Sequence, residues 1–262
     1  AMHNFEFVKP STVAEAVRAL GREDAQALAG GHTLLPTMKQ RLAAPAVLVS
    51  LTGIPDLRGV RREGDALVIG AATTHAEVAK AAAKDYPALA RLAGGIGDPA
   101  VRNRGTIGGS LANNDPAACW PAGALGSGAT IVTDRRQIAA DDFFRGLFTT
   151  ALEPAEIITA VRLPIPARAG YAKFEQPASR FALTGAFVAQ FPGGVRVAIT
   201  GAGEDGVFRW AEAERALAAN FAASALDGLG VSPDGLVGDL HGTPQYRANL
   251  VRVMTGRAVG AA

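Results

Sequence analysis

Two glycine-bearing segments constrain this chain more than anything else in its sequence. The first is Ala29-Gly30-Gly31-His32-Thr33-Leu34-Leu35-Pro36. The second runs Asp98-Pro99-Ala100-Val101-Arg102-Asn103-Arg104-Gly105-Thr106-Ile107-Gly108-Gly109-Ser110. Glycine has no Cβ, so it accepts positive φ and lets another group touch the main chain. Successive amides at a helix start form a concavity of partial positive charge suited to phosphate. Each segment joins paired glycines to hydroxyl residues, and two such loops suggest a diphosphate held from both sides. A dinucleotide is the first ligand that fits. Paired glycines also make plain tight turns, and the residues alone leave both readings standing.

The pattern around the loops divides the chain. Thr12-Val13-Ala14-Glu15 has the spacing of a capping box opening a helix, with Val13, Ala16, Val17 and Leu20 on one face. A short strand through Ala27-Leu28-Ala29 runs into Gly30, and Thr33 can cap a following helix whose first turn suits Pro36. An apolar strand, Val47 to Leu51, closes at Gly53 and Pro55. A second block opens with the strand Leu67-Val68-Ile69-Gly70 and a second capping box, Thr74-His75-Ala76-Glu77. The second glycine loop follows it, then an Ala/Gly-rich segment, then Ile157 to Val161 leading to Pro164 and Pro166. Those prolines mark the best domain boundary. Beyond it come strands at Phe181 to Phe191 and Val195 to Ile199, then helical segments near Ala211 to Phe221 and Tyr246 to Val259. The expected arrangement is a domain over 1–166, with subdomains of about 1–55 and 56–166. An α+β domain with an antiparallel sheet follows over 167–262.

Several function classes are excluded. The net charge of +2 leaves no nucleic-acid footprint, and no stretch approaches the roughly 18 apolar residues of a membrane span. The opening residues lack a basic region followed by an apolar run, so no secretory signal is expected. One cysteine, Cys119, makes an internal disulfide impossible, and His3, His32, His75 and His241 have no metal-site spacing. No metal site and no catalytic residue is expected in this chain. Redox chemistry would have to come from an organic cofactor or a partner chain.

One motif misleads. Gly201-Ala202-Gly203-Glu204-Asp205-Gly206 fits the G-x-G-x-x-G dinucleotide fingerprint and follows a strand. Its third glycine should lead into a helix that receives the pyrophosphate. Strand-like Val207-Phe208-Arg209-Trp210 follows instead, and two acidic residues in the loop repel phosphate. It reads as a hairpin turn.

The two glycine loops, with Met38 to Leu42, Gly97-Asp98-Pro99, Asn114-Asp115-Pro116, the Pro121 region and the closing Tyr246-Arg247 and Leu250-Val251, resemble the flavin-binding medium subunit of the molybdenum hydroxylases. That group contains xanthine dehydrogenase, aldehyde oxidoreductase and carbon monoxide dehydrogenase. The resemblance runs over essentially the whole chain. It implies an α+β fold: an FAD-binding domain of the vanillyl-alcohol-oxidase (PCMH) type, then a smaller α+β domain of the CO dehydrogenase flavoprotein C-terminal type. By the same resemblance, Ala29, Gly30, Gly31, His32 and Thr33 cradle the FAD pyrophosphate together with Thr106, Gly108, Gly109 and Ser110. Leu34, Ile96, Gly97, Val101 and Asp115 fall where the family lines the cofactor. Thr73, Thr74 and His75 would lie close to it, Ile157 near the adenine, and Phe181 over the isoalloxazine, where offset stacking suits an aromatic.

The chain departs from the family at Cys119, where many relatives carry an aspartate near the flavin. A missing carboxylate there would change the flavin's potential or acceptor preference; a thiol can also be only a small buried apolar group. His75 reads as a cap-adjacent surface histidine, and His32 as a residue placed by its backbone. Trp120 and Trp210 read as packing or interface residues. Arg102 and Arg104 either approach phosphate or the partner, or are solvated. Asp141 to Phe144 resembles a structural turn.

The implied function is an FAD-binding electron-transfer subunit. A large molybdenum-cofactor subunit would hydroxylate an aldehyde or N-heterocycle, and a small 2Fe-2S subunit would pass the electrons here for an external acceptor, in a cytoplasmic dimer of heterotrimers. A partner with an export signal could carry that complex to the periplasm. A stand-alone flavin oxidase and a non-redox nucleotide-binding module are the alternatives; the small C-terminal part argues against the first.

Overall fold

The computed structural model describes residues 2–262. Its first lobe is a three-stranded parallel sheet. Strand β1 (Glu6–Val8) leads through helix α1 (Val13–Leu20) to β2 (Ala25–Leu28), and helix α2 (Leu34–Lys39) leads to β3 (Val47–Ser50). The strand order is β1-β3-β2, so β3 is central and buried at every position. Its run of Val-Leu-Val has no alternation because α1 and the rest of the lobe cover both faces. Thr12 caps α1 by accepting the Glu15 amide. The Glu15 carboxylate, however, bonds the amide and hydroxyl of Ser11, not the Thr12 amide, so this first capping box is only half formed.

The second lobe carries β4 (Val60–Glu63), β5 (Ala66–Gly70), and the helices α3 (His75–Ala81), α4 (Pro87–Gly94), α5 (Pro99–Arg102), α6 (Ile107–Asn113) and α7 (Trp120–Ser127). It continues with β6 (Thr130–Thr133), β7 (Gln137–Ala139), α8 (Ala140–Phe143), the small hairpin β8 (Phe144–Gly146) and β9 (Thr149–Thr150), and β10 (Ile158–Pro164). The antiparallel sheet runs β4-β5-β10-β6-β7. The Thr74–Glu77 capping box is complete in both directions. Helix α7 is buried on all sides, and its Trp-Pro-Ala-Gly-Ala-Leu-Gly-Ser sequence has no charged residue to put in water.

The remaining strands, β11 (Arg168–Glu175), β12 (Ala182–Phe191), β13 (Gly194–Thr200) and β14 (Phe208–Arg209), form an antiparallel sheet in sequence order, followed by α9 (Ala211–Ala219) and α10 (Pro244–Gly260). On β12, Phe187 and Ala189 enter the core shared with α7, while Ala186 and Val188 enter the core under α9 and α10. Alternation therefore separates two buried faces, not a buried face from a wet one. The segment 201–206 joins β13 to antiparallel β14, as a hairpin turn should.

One ion pair, with the carboxylate buried and the guanidinium at the surface, ties the β6–β7 turn to the chain entering β10. Glu156 accepts from the Thr133 hydroxyl (2.9 Å), from Arg136 Nε (2.9 Å) and Nη2 (2.8 Å), and from the Glu153 amide (2.9 Å). The bond from the Arg136 guanidinium is the main reason its carboxyl is held down to about 2 from an ordinary 4.5. A depressed carboxyl contributes stability above its unfolded value and loses it on acidification. Glu156→Gln should therefore lower the unfolding free energy by about 2 kcal/mol at neutral pH. In urea titrations the gap to the parent protein should hold down to pH 4.5 and narrow below it, towards about 2.

Candidate functional site

The two glycine loops meet edge to edge. The first leaves β2 and turns at Gly31, whose φ of +79° suits glycine. A Cβ on Gly30 would lie 2.1 Å from the Arg104 carbonyl oxygen and 2.8 Å from the Gly105 Cα. The main chains of the two loops are therefore in contact, and any side chain at Gly30 would part them. The second loop is anchored from its own side. Asp98 caps α5 by accepting the Val101 amide (2.8 Å), and the Arg102 guanidinium donates to the carbonyls of Ile96 (3.1 Å) and Gly97 (2.6 Å). Arg102 is thus committed to its own loop. Thr106 sits in a bridge with Thr74, the His75 amide donating to Gly105 and the Ile107 amide to Thr73.

The loops differ in what they offer. In the first, the amides of Gly30, Gly31, His32 and Thr33 have no acceptor among the described residues. Thr33 holds the N-cap position of α2 with near-helical φ and ψ and makes no side-chain cap bond, contrary to the capping expected of it. In the second, the amides of Gly108, Gly109 and Ser110 are all taken, by Ala71 O (2.9 Å), Thr106 Oγ1 (3.1 Å) and Thr106 O (3.1 Å). The amide-donating role read for Gly108 to Ser110 is therefore not available. Gly108 serves packing, since a Cβ there would come within 2.7 Å of Ala71 O. With six and seven residues in α2 and α6, individual amides matter more here than a helix dipole.

Between the loops lies a cavity of about 830 Å³, within the range of small-molecule sites. It extends from Leu20 and Ala25 in the first lobe, past both glycine loops, to the segment Ser179-Arg180-Phe181 before β12. Ala29 to Leu34, Ile96, Gly97, Val101, Thr106, Gly108, Gly109, Ser110, Asp115, Ile157 and Phe181 all stand on its wall. Thr74 does not: its hydroxyl and amide are spent on Glu77, and Thr73 is buried beneath, bonded to Gly59. Asp115 faces the cavity with its carboxyl pushed up by burial, against the pull of the Ala117 amide it accepts. Phe181 stands half exposed at the rim.

Three further residues stand on the wall. His75 is not a surface residue: it is buried on the cavity wall, and its Nδ1 accepts a hydrogen bond from Trp120 Nε1 at 3.0 Å. Burial, and then the electrostatic influence of His32 and Arg102, lower its imidazole to about 4. Cys119 also lines the cavity, buried, with Lys173 Nζ 3.7 Å from its sulfur. Lys173 is held by the carbonyls of Gly95 and Arg180. Phe148, in the β8–β9 turn, reaches the wall with φ of +51°, uncommon for a bulky residue. The apolar Leu147-Phe148 pair in a tight turn was its only signal in the sequence. Among the described residues no cluster of three potential metal ligands exists.

Known proteins resemble this chain along its length. Residues 3–166 match the family described as FAD binding domain in molybdopterin dehydrogenase. The carbon monoxide dehydrogenase medium chain of Hydrogenophaga pseudoflava is 35% identical, covering 98% of this chain and 96% of its own. The nicotine 6-hydroxylase medium subunit of Paenarthrobacter nicotinovorans is 34% identical over 97% and 95%. Among solved structures, reconstituted CO dehydrogenase from Oligotropha carboxidovorans superposes with a TM-score of 0.90 at 33% identity, covering 100% of this chain and 98% of that one.

Gly30→Ala should cost about 2 kcal/mol of stability, because a methyl group is forced against a backbone carbonyl that cannot rotate away. Gly193→Ala, whose Cβ would meet nothing within 4 Å, should stay within about 0.5 kcal/mol of the parent. Urea unfolding of the two variants side by side measures the difference.

Proposed function

The chain belongs to the family of FAD-binding medium subunits of the molybdopterin dehydrogenases, and from that premise we propose that it is the electron-transfer station of a heterotrimeric molybdenum hydroxylase. It is a subunit of an oxidoreductase, and FAD is its cofactor. The observation that carries the assignment of the site is the row of unpaired amides from Gly30 to Thr33 facing a dinucleotide-sized cavity. Four donors in one concavity can satisfy the oxygens of a diphosphate without a single charged side chain. The second loop contributes the Ser110 hydroxyl and the Thr106 side of the wall, and above all the backbone surface that holds the first loop in place.

The remaining wall fits the two ends of FAD. Ile157 and the apolar residues of the first lobe offer a dry slot for an adenine. Ile96, Gly97, Val101, Asp115 and Phe181 surround the other end, where Phe181 can cover a flavin face. When bound, FAD supplies the redox chemistry, collecting electrons delivered by 2Fe-2S clusters of a small partner and releasing them to an external acceptor. This chain's residues bind it, orient it and limit water around it. The substrate is oxidised on the large, molybdenum-bearing partner and never meets this chain. Its class is an aldehyde or an N-heterocycle, and the relative named nicotine 6-hydroxylase fits the second. Carbon monoxide is a second reading, supported by the 35% identical relative named for it. No helix among the described residues is long and apolar enough to cross a membrane, and we place the complex in the cytoplasm as a dimer of heterotrimers.

The purified chain should show a flavin absorbance spectrum and release equimolar FAD into the supernatant on acid precipitation. A colourless protein that also refuses added FAD would overturn the cofactor site. In the complex with its partners, anaerobic addition of a substrate should bleach the flavin, and a panel of aldehydes, N-heterocycles and carbon monoxide decides the class.

Cys119→Asp would put a carboxylate on the wall beside Lys173 and oppose negative charge on the flavin. It should lower the flavin midpoint potential by roughly 30 mV, about 1.4 kcal/mol over two electrons. A spectroelectrochemical titration showing no change would remove Cys119 from the flavin's surroundings.

A further inference from the structure

An indole N–H can only donate, so the 3.0 Å contact between Trp120 Nε1 and His75 Nδ1 makes Nδ1 the acceptor. In a neutral imidazole the hydrogen must then sit on Nε2. The ring has little freedom to do otherwise. Trp120 is fully buried and His75 nearly so, while the His75 amide is fixed to Gly105 O (3.0 Å) in the bridge that joins α3 to the second glycine loop. Burial beside His32 and Arg102 disfavours the imidazolium.

Nε2 has no acceptor among the described residues and, unlike Trp210 Nε1, is not sealed off from open space, so its hydrogen is left for whatever fills the cavity. It lies next to Gly105, where a Cβ would come within 2.6 Å of it, and both residues stand on the cavity wall. Gly105, with Arg104, also forms the surface against which Gly30 packs. The unspent imidazole hydrogen and the unspent amides of the first loop therefore meet at one junction.

Resting on the FAD reading above, we propose that His75 is a neutral Nε2–H donor to the diphosphate of the bound dinucleotide, with Trp120 as the positioning residue that sets its tautomer and aim. A neutral donor suits this place. It adds a directed hydrogen bond to the amide cradle without burying an ion whose desolvation would offset the gain.

Two near-isosteres separate this role from packing. Asparagine carries a polar atom near the Nδ1 position, and glutamine near the Nε2 position. His75→Asn keeps the acceptor for Trp120 and removes the cavity donor; His75→Gln keeps the donor and leaves Trp120 unpaired. The apo chain is titrated with FAD by flavin fluorescence, with thermal unfolding measured in parallel. His75→Asn should bind FAD about tenfold more weakly while unfolding near the parent temperature. His75→Gln should bind within about threefold of the parent despite a lower unfolding temperature. The reverse order, or parental binding by His75→Asn, would overturn the proposal in favour of packing.

Nitrogen-15 spectra of the four histidines give a second readout. Nε2 of His75 should be protonated in the apo chain and should shift on adding ADP, which carries the diphosphate without the flavin, but not on adding riboflavin. No shift with ADP would overturn the diphosphate as partner. A parent chain that takes up no FAD at all is a different result, and sinks the FAD reading along with what rests on it.

Discussion

The main-chain contact between Gly30 and Arg104–Gly105 is the constraint on which the site depends. The two loops come from different lobes, the first following β2 and the second lying between α5 and α6, and neither lobe's sheet requires them to meet. They meet because Gly30 presents no side chain and because the second loop is made rigid from behind. Arg102 is bonded to two carbonyls of its own approach, Asp98 caps α5, and the Thr106 bridge ties the loop to α3. One loop is therefore a template and the other is laid upon it. The amides of the template loop are consumed within the loop and by Ala71 and Thr73 beside it, and those of the applied loop are left over for a ligand. A symmetric diphosphate clamp would have neither a fixed half nor a free half.

Helix α7 does the corresponding work at the other end of the cavity. Because all its residues are apolar or small, it can be buried between the second lobe and the C-terminal sheet, joining them in one core through Phe187, Ala189 and Ala198. Arg196 of β13 reaches across to the Leu125 carbonyl and to Asp141, and Thr200 donates to the carbonyls of Pro116 and Ala118. The C-terminal sheet is thereby held against the lobe that carries the second glycine loop. That attachment is what brings Phe181, at the head of β12, to the cavity rim. Trp120, the first residue of α7, links the same core to His75.

What could be read from the sequence, and what could not, follows from the range of the interactions involved. The Thr74–Glu77 box, the turn at 201–206 and the strands around Ile69, Phe187 and Val197 depend on near neighbours, and the residues there point one way. The Thr12 box has a competitor one residue upstream, Ser11, and the carboxylate of Glu15 goes to it. The status of the glycine-loop amides could not be read at all. Whether Gly108 N is free depends on Ala71 O, a residue of another segment placed by β5. His75 shows the same limit: a histidine at the first position of a helix reads as exposed, and it is buried by the second glycine loop and by Trp120 of α7, both distant in sequence. Phe148 is concealed for a different reason, since nothing in its local sequence requires a left-handed backbone.

The polar groups along the cavity also explain how one pocket can hold a polyanion without imposing its charge on the rest of the ligand. At the glycine junction the donors are backbone amides and a neutral imidazole, while Arg102 is turned back onto its own loop. Fixed dipoles of this kind fall off faster with distance than a full positive charge and need little reorganisation. At the far end sit the groups able to act on a redox-active ring: Cys119, the cation of Lys173 beside it, and Asp115 with a carboxyl raised by burial. With hydrogen-bond donors at one end and ionisable groups at the other, holding a cofactor and setting its potential would fall to different residues of the same wall.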